Sequence, residues 1–257
     1  MERLYLGTNT KMYKGIAQTA AFLTRLQELT KDLSAAQLEL FVIPSFTTLD
    51  TAKTCAGQIR IGAQNMGWED EGQFSGEISP LMLREIGVDL VMIGHSERRH
   101  VLLETDEMER RKVACALRHG ITPLLCIGET GAQKDMGISD EVLASQVKIA
   151  LHGLTAEQAA MVRIAYEPVW AIGVGGVPAT AEYAALRHEH IRATLRELYG
   201  ETTAARIPLL YGGSVNRDNA VELSRMPEID GLFIGRSAWD ADNFNWIIRA
   251  VLAERQG

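Results

Sequence analysis

Short apolar runs recur along the chain, each bounded by glycine, proline or polar residues. Most are apolar throughout rather than alternating, which is typical of parallel strands covered on both faces. Eight such runs are predicted to be strands, at residues 4–8, 38–43, 60–64, 89–93, 122–127, 163–166, 207–211 and 231–234.

The segments between these runs carry helical signals. Apolar residues recur at helical spacing or in an amphipathic pattern at residues 16–33, 181–199 and 241–256. Ser79 before Pro80 predicts the start of another helix, which Gly87 ends. Two further starts have capping-box spacing, Asp106 with Glu109 and Thr155 with Gln158.

Strand and helix therefore alternate eight times in 257 residues, without a linker or a break in composition. This arithmetic predicts an α/β fold, a (β/α)₈ barrel that spans residues 1–257 as a single domain. A doubly wound open sheet is the alternative. It more often has fewer strands and a G-x-G-x-x-G turn after the first, and no such turn follows the first strand here.

Composition narrows the class of function. A net charge of −7, spread along the chain, argues against a nucleic-acid or anionic-membrane surface. Three scattered cysteines argue against a disulfide framework or a zinc cage and favour a reducing cytoplasm. No apolar run is long enough for a membrane span, and no secretory signal is visible at the first residues.

In a barrel of this kind the active site lies at the carboxyl ends of the strands. Polar residues and glycines stand there after six of the predicted strands: Asn9, Lys11, His95, Glu129, Glu167, Ser214, Gly235 and Arg236. A partly dried carboxylate can remove a proton next to a carbonyl, and an imidazole or an ammonium can stabilise the enediolate that forms. The set predicts an enolising enzyme, with Glu167 as the base and His95 as its partner.

Other polar groups are interpreted as structural or solvated. The remaining histidines lie on predicted helices or at their ends, at positions 100, 119, 152, 188 and 190. The acidic run at residues 69–71 is read as a solvated loop. The glycine-rich stretch at residues 173–176 lacks the features of a nucleotide loop and predicts a mobile lid.

Several longer motifs are more specific. They are Asn9-Thr10-Lys11, Gly62-Ala63-Gln64-Asn65, Gly76-Glu77-Ile78-Ser79, Gly94-His95-Ser96-Glu97-Arg98-Arg99, Cys126-Ile127-Gly128-Glu129, the stretch from Ala165 through Glu167-Pro168-Val169-Trp170 to Gly173, and Tyr211-Gly212-Gly213-Ser214-Val215. In this order and spacing, the chain resembles the triosephosphate isomerase family over essentially its whole length.

The resemblance implies a role for each matching residue. Glu167 is the implied base, His95 a neutral electrophile, Lys11 a positive charge beside the substrate and Asn9 a further polar contact. In this family the start of a helix lowers the pKa of the histidine, so that a neutral imidazole acts beside the glutamate base. Ser96 and Glu97 are implied supports. The backbone amides of Gly173, Ser214, Gly235 and Arg236 are the implied phosphate site. No cofactor or metal is implied.

The resemblance also implies two moving or assembling segments. Residues 168–179 correspond to a lid that excludes water from the reaction. Residues 64–77 correspond to a loop that inserts into a second subunit, with Ser75 near the partner's Asn9. A homodimer is therefore expected.

Three departures from the family pattern stand out. Thr10 replaces a tryptophan and is expected to alter packing more than the pocket. The lid has lost its lysine and gains Pro178, which stiffens its far end. Arg236 replaces the second glycine of a pair, so its guanidinium either meets the phosphate or pairs with a carboxylate elsewhere.

These departures cluster where substrate length is set. They resemble a branch that converts L-erythrulose 1-phosphate to D-erythrulose 4-phosphate, and they favour that reaction over the alternative, interconversion of dihydroxyacetone phosphate and glyceraldehyde 3-phosphate. A catalytically silent barrel is disfavoured because no catalytic residue is lost. An aldolase is disfavoured because Lys11 is the only lysine on the predicted rim and lies outside an apolar pocket.

Overall fold

The computed structural model describes residues 3–173 and 176–256. Eight parallel strands pair in sequence order and close into a barrel, with β8 against β1. The strands are β1 Leu4–Asn9, β2 Leu38–Ile43, β3 Arg60–Ala63, β4 Leu90–Ile93, β5 Thr122–Ile127, β6 Arg163–Tyr166, β7 Leu209–Tyr211 and β8 Gly231–Ile234. The predicted barrel is confirmed, and the open sheet is excluded by the β1–β8 pairing.

Helices follow the strands around the outside. They are α1 Ile16–Thr30, α2 Leu49–Cys55, α3 Pro80–Ile86, α4 Ser96–His100, α5 Asp106–Arg118, α6 Gly131–Asp135, α7 Ser139–Ala150, α8 Ala156–Ala159, α9 Ala181–Tyr199, α10 Glu201–Ala204, α11 Ala220–Arg225 and α12 Ala241–Gln256. In the described part of the chain, no helix is both long and apolar enough to cross a membrane.

Four strands, β2, β5, β6 and β8, have the predicted bounds, and the other four differ from the prediction by one or two residues. β7 shows one reason. It begins at Leu209 rather than at residue 207. Pro208 has no N–H to give to a ladder, although its carbonyl accepts a hydrogen bond from the N–H of Ile164. The apolar run therefore starts two residues before regular pairing does.

Two of the three predicted helix caps are confirmed and one is wrong. The Ser79 hydroxyl accepts the N–H of Met82, and Thr155 forms a capping box with Gln158. Asp106 is not a cap, because Thr105 accepts the N–H of Met108 at the start of α5. Glu109 is instead fully buried in an ion pair with an arginine of α4.

Packing inside the barrel leaves room for the site above it. Apolar side chains fill the upper part of the interior, the largest being Phe41 and Phe233, whose rings stack with centroids 5.8 Å apart. β1 contributes Gly7 at this level, where an added Cβ would lie 2.1 Å from the Phe41 ring. The filled interior makes the barrel a rigid support rather than a pore.

Candidate active site

The four predicted catalytic residues lie at the carboxyl end of the barrel. Asn9 ends β1 and Lys11 lies two residues beyond it; His95 follows β4, and Glu167 follows β6. Because all eight strands are parallel and closed, these ends converge on one rim. Asn9, His95 and Glu167 are each exposed by 4% or less, so their polar groups act in surroundings that are largely dry.

His95 is fixed by the start of α4. It is the N-cap residue of that helix, and its Nδ1 accepts a hydrogen bond from the backbone N–H of Glu97 at 3.2 Å. Because Nδ1 accepts, the proton of a neutral ring lies on Nε2. That nitrogen faces the carboxylate of Glu167, with Nε2 and Oε1 3.6 Å apart. The hydrogen bond at Nδ1 therefore directs the Nε2 side of the ring toward the centre of the rim.

Glu167 is held beside this donor. Its Oε2 accepts the backbone N–H of Ser96 at 3.3 Å. Its side chain passes over Gly212, where an added Cβ would lie 2.9 Å from Cγ. The Cys126 thiol lies beneath, and its pKa is raised well above its ordinary value, first by complete burial and then by the negative charge of Glu167. The Glu167 carboxylate is thus held between the Ser96 amide and the His95 ring in a nearly dry part of the rim.

Lys11 is placed by an unusual backbone. Its φ is +52°, in the left-handed region, and its N–H donates to the Asn9 Oδ1 at 2.7 Å. Gln64 donates from Nε2 to both the Lys11 carbonyl, at 2.7 Å, and Asn9 Oδ1, at 3.1 Å. The ammonium reaches Glu97, with Nζ 2.7 Å from Oε1. The sequence motif contained Gln64, but its role in holding this turn was not predicted.

The predicted phosphate residues follow neighbouring strands. Ser214 follows β7, and Gly235 and Arg236 follow β8, which pairs with β7. Asn219 donates from Nδ2 to the Ser214 carbonyl at 2.9 Å and steadies that turn. Gly173 has φ +89° in the segment after β6. Their backbone amides thus belong to three adjacent loops on one side of the rim.

Arg236 bears on one of the alternatives left open by the sequence. Within residues 3–173 and 176–256, its guanidinium forms no ion pair and no side-chain hydrogen bond, and the residue is exposed. Pairing with a carboxylate elsewhere in the described chain therefore does not explain this arginine. Its charge is free to meet an anion.

Glu129 stands on the same rim but is already occupied. It is fully buried and accepts hydrogen bonds from the hydroxyls of Tyr166 and Tyr183 and from the indole N–H of Trp170. Lys134 lies over the Trp170 ring, 3.9 Å from its centroid. Glu129 therefore fastens the beginning of the predicted lid to the barrel rather than facing a substrate.

The lid itself is described only in part. Its first turn spans Val169–Ala171, and the N–H of Val177 donates to the Trp170 carbonyl at 3.4 Å. Val174 and Gly175 lie outside the described residues. Thr10, the departure next to Asn9, is buried with 1% exposure, as expected for a packing position.

Comparison with known proteins places this geometry in a family. A family model described as triosephosphate isomerase matches residues 4–251. A protein of Rhizobium etli named L-erythrulose-1-phosphate isomerase is 47% identical over 253 residues, covering 97% of this chain and 93% of its own. Proteins with the same name from Rhizobium meliloti and Rhizobium rhizogenes are 46% and 43% identical, covering 96% and 99% of this chain and 96% and 97% of their own.

The barrel, the rim and the matches over nearly the whole chain agree with one another. The predicted resemblance and the predicted class of reaction are confirmed. The chain is an isomerase that acts on sugar phosphates, and it belongs to the triosephosphate isomerase family.

Proposed function

We propose that the chain interconverts L-erythrulose 1-phosphate and D-erythrulose 4-phosphate. The observation that carries the reaction type is the pairing of Glu167 Oε1 with His95 Nε2 at 3.6 Å. The names of the relatives support the substrate. The reaction moves the carbonyl between the two inner carbons of the sugar, so it is an internal oxidation and reduction that needs no cofactor.

In this proposal Glu167 takes the proton from the carbon next to the carbonyl, on the side away from the phosphate. The Nε2–H of His95 donates to the oxygens of the enediolate, and the Lys11 ammonium adds positive charge beside them. Asn9 supplies a further polar contact. Glu167 then returns the proton to the former carbonyl carbon, which completes the isomerisation.

The phosphate is proposed to lie over the three adjacent loops. The amides of Gly173, Ser214 and Gly235 would donate to its oxygens, as glycine turns commonly do. Arg236 would add its amide and its guanidinium. An arginine that has no side-chain partner among residues 3–173 and 176–256 is suited to a dianion, since planar donors bind phosphate oxygens in pairs.

We also propose that the chain is a cytoplasmic homodimer. Large apolar side chains are exposed around the segment of residues 64–77, and a second subunit would cover them: Met12, Tyr13, Phe74, Leu81, Met82, Val101, Leu102 and Leu103. Ser75 would then approach the partner's Asn9.

Three free cysteines are in keeping with the reducing compartment proposed here, the cytoplasm. Sedimentation equilibrium of the purified chain tests the dimer, and a monomer at micromolar concentration would contradict the proposed homodimer.

Competing substrates test the proposed reaction. The ratio kcat/KM should be measured on L-erythrulose 1-phosphate and on dihydroxyacetone phosphate with coupled assays. One added CH₂OH is worth only about 1–3 kcal/mol of discrimination, so some activity on the triose is expected. A clear preference for the triose phosphate would replace the proposed substrate with the alternative and leave the reaction type intact.

Replacement of the base tests the reaction type separately. Glu167→Gln keeps the size of the side chain and its acceptor for Ser96, but it removes the group that takes the proton. Turnover on either substrate should fall by about 10²–10⁴. Unchanged turnover would remove Glu167 from the proposed role.

A further inference from the structure

A second cluster of reactive side chains lies away from the residues that carry the isomerase chemistry. Asp70, Cys115 and His119 each offer one ligand atom, and these three atoms lie within 4.8 Å of one another. Asp70 belongs to the segment after β3, whereas Cys115 lies in α5 and His119 is the residue at its end. The sequence argued against a zinc cage because its three cysteines are scattered, and it gave no sign of this cluster, since Asp70 is far from Cys115 and His119 along the chain.

Local helix geometry brings two of the three ligands together. Cys115 and His119 are four residues apart, so they project from the same face of the helix. The His119 Nε2 lies 2.8 Å from Asp70 Oδ1. Cys115 is fully buried, whereas the Asp70 side chain is half exposed. The cluster therefore has an anchored sulfur at its base and an opening to solvent at its carboxylate.

The position of Asp70 does not depend on this cluster alone. The same segment is attached to α5 at two earlier points. Lys112 donates to Asn65 Oδ1 at 2.9 Å, and the Arg111 guanidinium lies 5.8 Å from the Trp68 ring centroid. These contacts hold the segment against α5 just before Asp70. The Asp70 carboxylate is therefore close to the helix before any metal binds.

We propose that Asp70, Cys115 and His119 form a zinc site with a fourth position open to water. A thiolate, an imidazole and a carboxylate are together the ligand set of Zn²⁺, and harder ions such as Mg²⁺ and Ca²⁺ prefer oxygen alone. On binding, the thiol gives its proton to solvent as the sulfur–zinc bond forms. The His119–Asp70 hydrogen bond opens so that both atoms face the metal.

Arg118 already places a cation at this position. Its guanidinium nitrogen lies 3.3 Å from Asp70 Oδ1 and 3.4 Å from Cys115 Sγ. The side chain is 56% exposed, so it can turn into solvent at little cost when a divalent ion enters, because exposed ion pairs contribute little. The cluster thus already accommodates a positive charge, and a metal ion could bind its sulfur, nitrogen and oxygen atoms directly.

Bound zinc would link the segment of residues 64–77 to the end of α5. This link is separate from the isomerase residues, which follow β1, β4 and β6. The expected consequence is greater stability of that segment, with little change in turnover.

Metal titration of the full-length chain tests the site. The reduced, metal-free protein should bind one Zn²⁺ per chain in competition with a chelator, and Co²⁺ should give the absorption band of a cobalt–thiolate bond. Asp70→Asn and His119→Gln replace side chains that are at least partly exposed, so both variants are expected to fold. Replacing a residue that only hydrogen-bonds to a metal ligand typically lowers metal affinity by about 10–100-fold. Replacing a ligand itself, as in these two variants, should weaken zinc binding at least as much.

Matched variants separate the site from other thiols and histidines. Cys55→Ser and His152→Gln should bind like the wild type, whereas Cys115→Ser should lose the cobalt–thiolate band. Isomerase activity and the far-ultraviolet circular dichroism of each variant report whether it is folded. The proposal is overturned if the wild type shows no thiolate band with Co²⁺, or if Asp70→Asn and His119→Gln bind zinc as tightly as the controls.

Discussion

The backbone N–H of Ser96 donates to Oε2 of Glu167 at 3.3 Å. The next amide of the same short helix, that of Glu97, donates to Nδ1 of His95. One turn of chain therefore orients both the proposed base and its proposed partner. It leaves Nε2 of the histidine as the donor, 3.6 Å from the carboxylate. A substrate that enters must compete with Ser96 for Glu167, so small displacements here should change the rate.

Gly212→Ala is expected to displace the base. Its Cβ would lie 2.9 Å from the Glu167 Cγ, which is closer than real Cβ contacts allow, so the carboxylate must move. A misplacement of about 1 Å can cost about 10²-fold in rate, and kcat should fall by that order. The measurement is steady-state kinetics on L-erythrulose 1-phosphate. Gly15→Ala, where nothing lies within 4 Å, is the matched control, and equal kcat in both variants would contradict the prediction.

Lys11→Met and Glu97→Gln should differ in severity although the two side chains pair with each other. Loss of the ammonium removes a donor to the developing negative charge, so kcat/KM should fall by about 10²–10³. Glu97→Gln keeps the backbone N–H that orients His95 and an oxygen that can accept from Lys11. Its carboxylate is half exposed, so the loss should be less than about tenfold. A larger loss in Glu97→Gln than in Lys11→Met would contradict the assignment.

Arg236→Gln should weaken binding of the phosphorylated substrate more than it slows turnover. The guanidinium has no ion-pair partner in the described part of the chain, so its removal leaves no buried carboxylate behind. A hydrogen bond to a charged group is worth about 1.5–3 kcal/mol, which predicts a rise in KM of about tenfold or more. Arg217→Gln, another arginine near this edge that already bonds to Asn243, is the control. An unchanged KM in Arg236→Gln would place the side chain away from the phosphate.

His188 should make the protein less stable in mild acid. Burial lowers its pKa from 6.5 to about 4, while its Nδ1–H donates to the Glu228 carbonyl at 2.9 Å. Between pH 6.5 and pH 4, His188 is therefore protonated in the unfolded chain but neutral in the folded chain. The free energy of unfolding falls as the pH falls through that window. Between pH 7 and pH 5 the loss from this group should be about 2 kcal/mol.

Urea unfolding at the two pH values measures this contribution. His188→Gln removes the titrating group, so its free energy of unfolding should change less between pH 7 and pH 5 than that of the wild type. His152→Gln, at an exposed position, should keep the wild-type difference. Protein concentration must be the same throughout, because a dimer is stabilised by mass action. Equal pH dependence in the wild type and His188→Gln would show that this histidine does not contribute.

Some predictions failed for identifiable reasons. Asp106 and Glu109 have the spacing of a capping box, yet Thr105 caps the helix and the Glu109 side chain is buried beside Arg99. Burial raises the pKa of Glu109 to about 8, and a neighbour supplied by another helix is not visible in the local pattern. The role of Gln64, which holds the turn between Asn9 and Lys11, was missed in the same way, because it depends on the closed barrel bringing the segment after β3 to the end of β1.

The chain's own sequence determined the barrel and the positions of its reactive groups. Apolar runs that can be buried on both faces and helices between them leave few arrangements, and parallel strands must bring Asn9, His95 and Glu167 to one rim. The tertiary structure decided which groups are free. In the folded chain, Glu129 accepts hydrogen bonds from three side chains, whereas Arg236 forms no ion pair within the residues that the structure describes. Folding also brings Asp70 close to Cys115 and His119. Such relationships join residues distant in sequence, and their distances and burial are set only when the whole core packs.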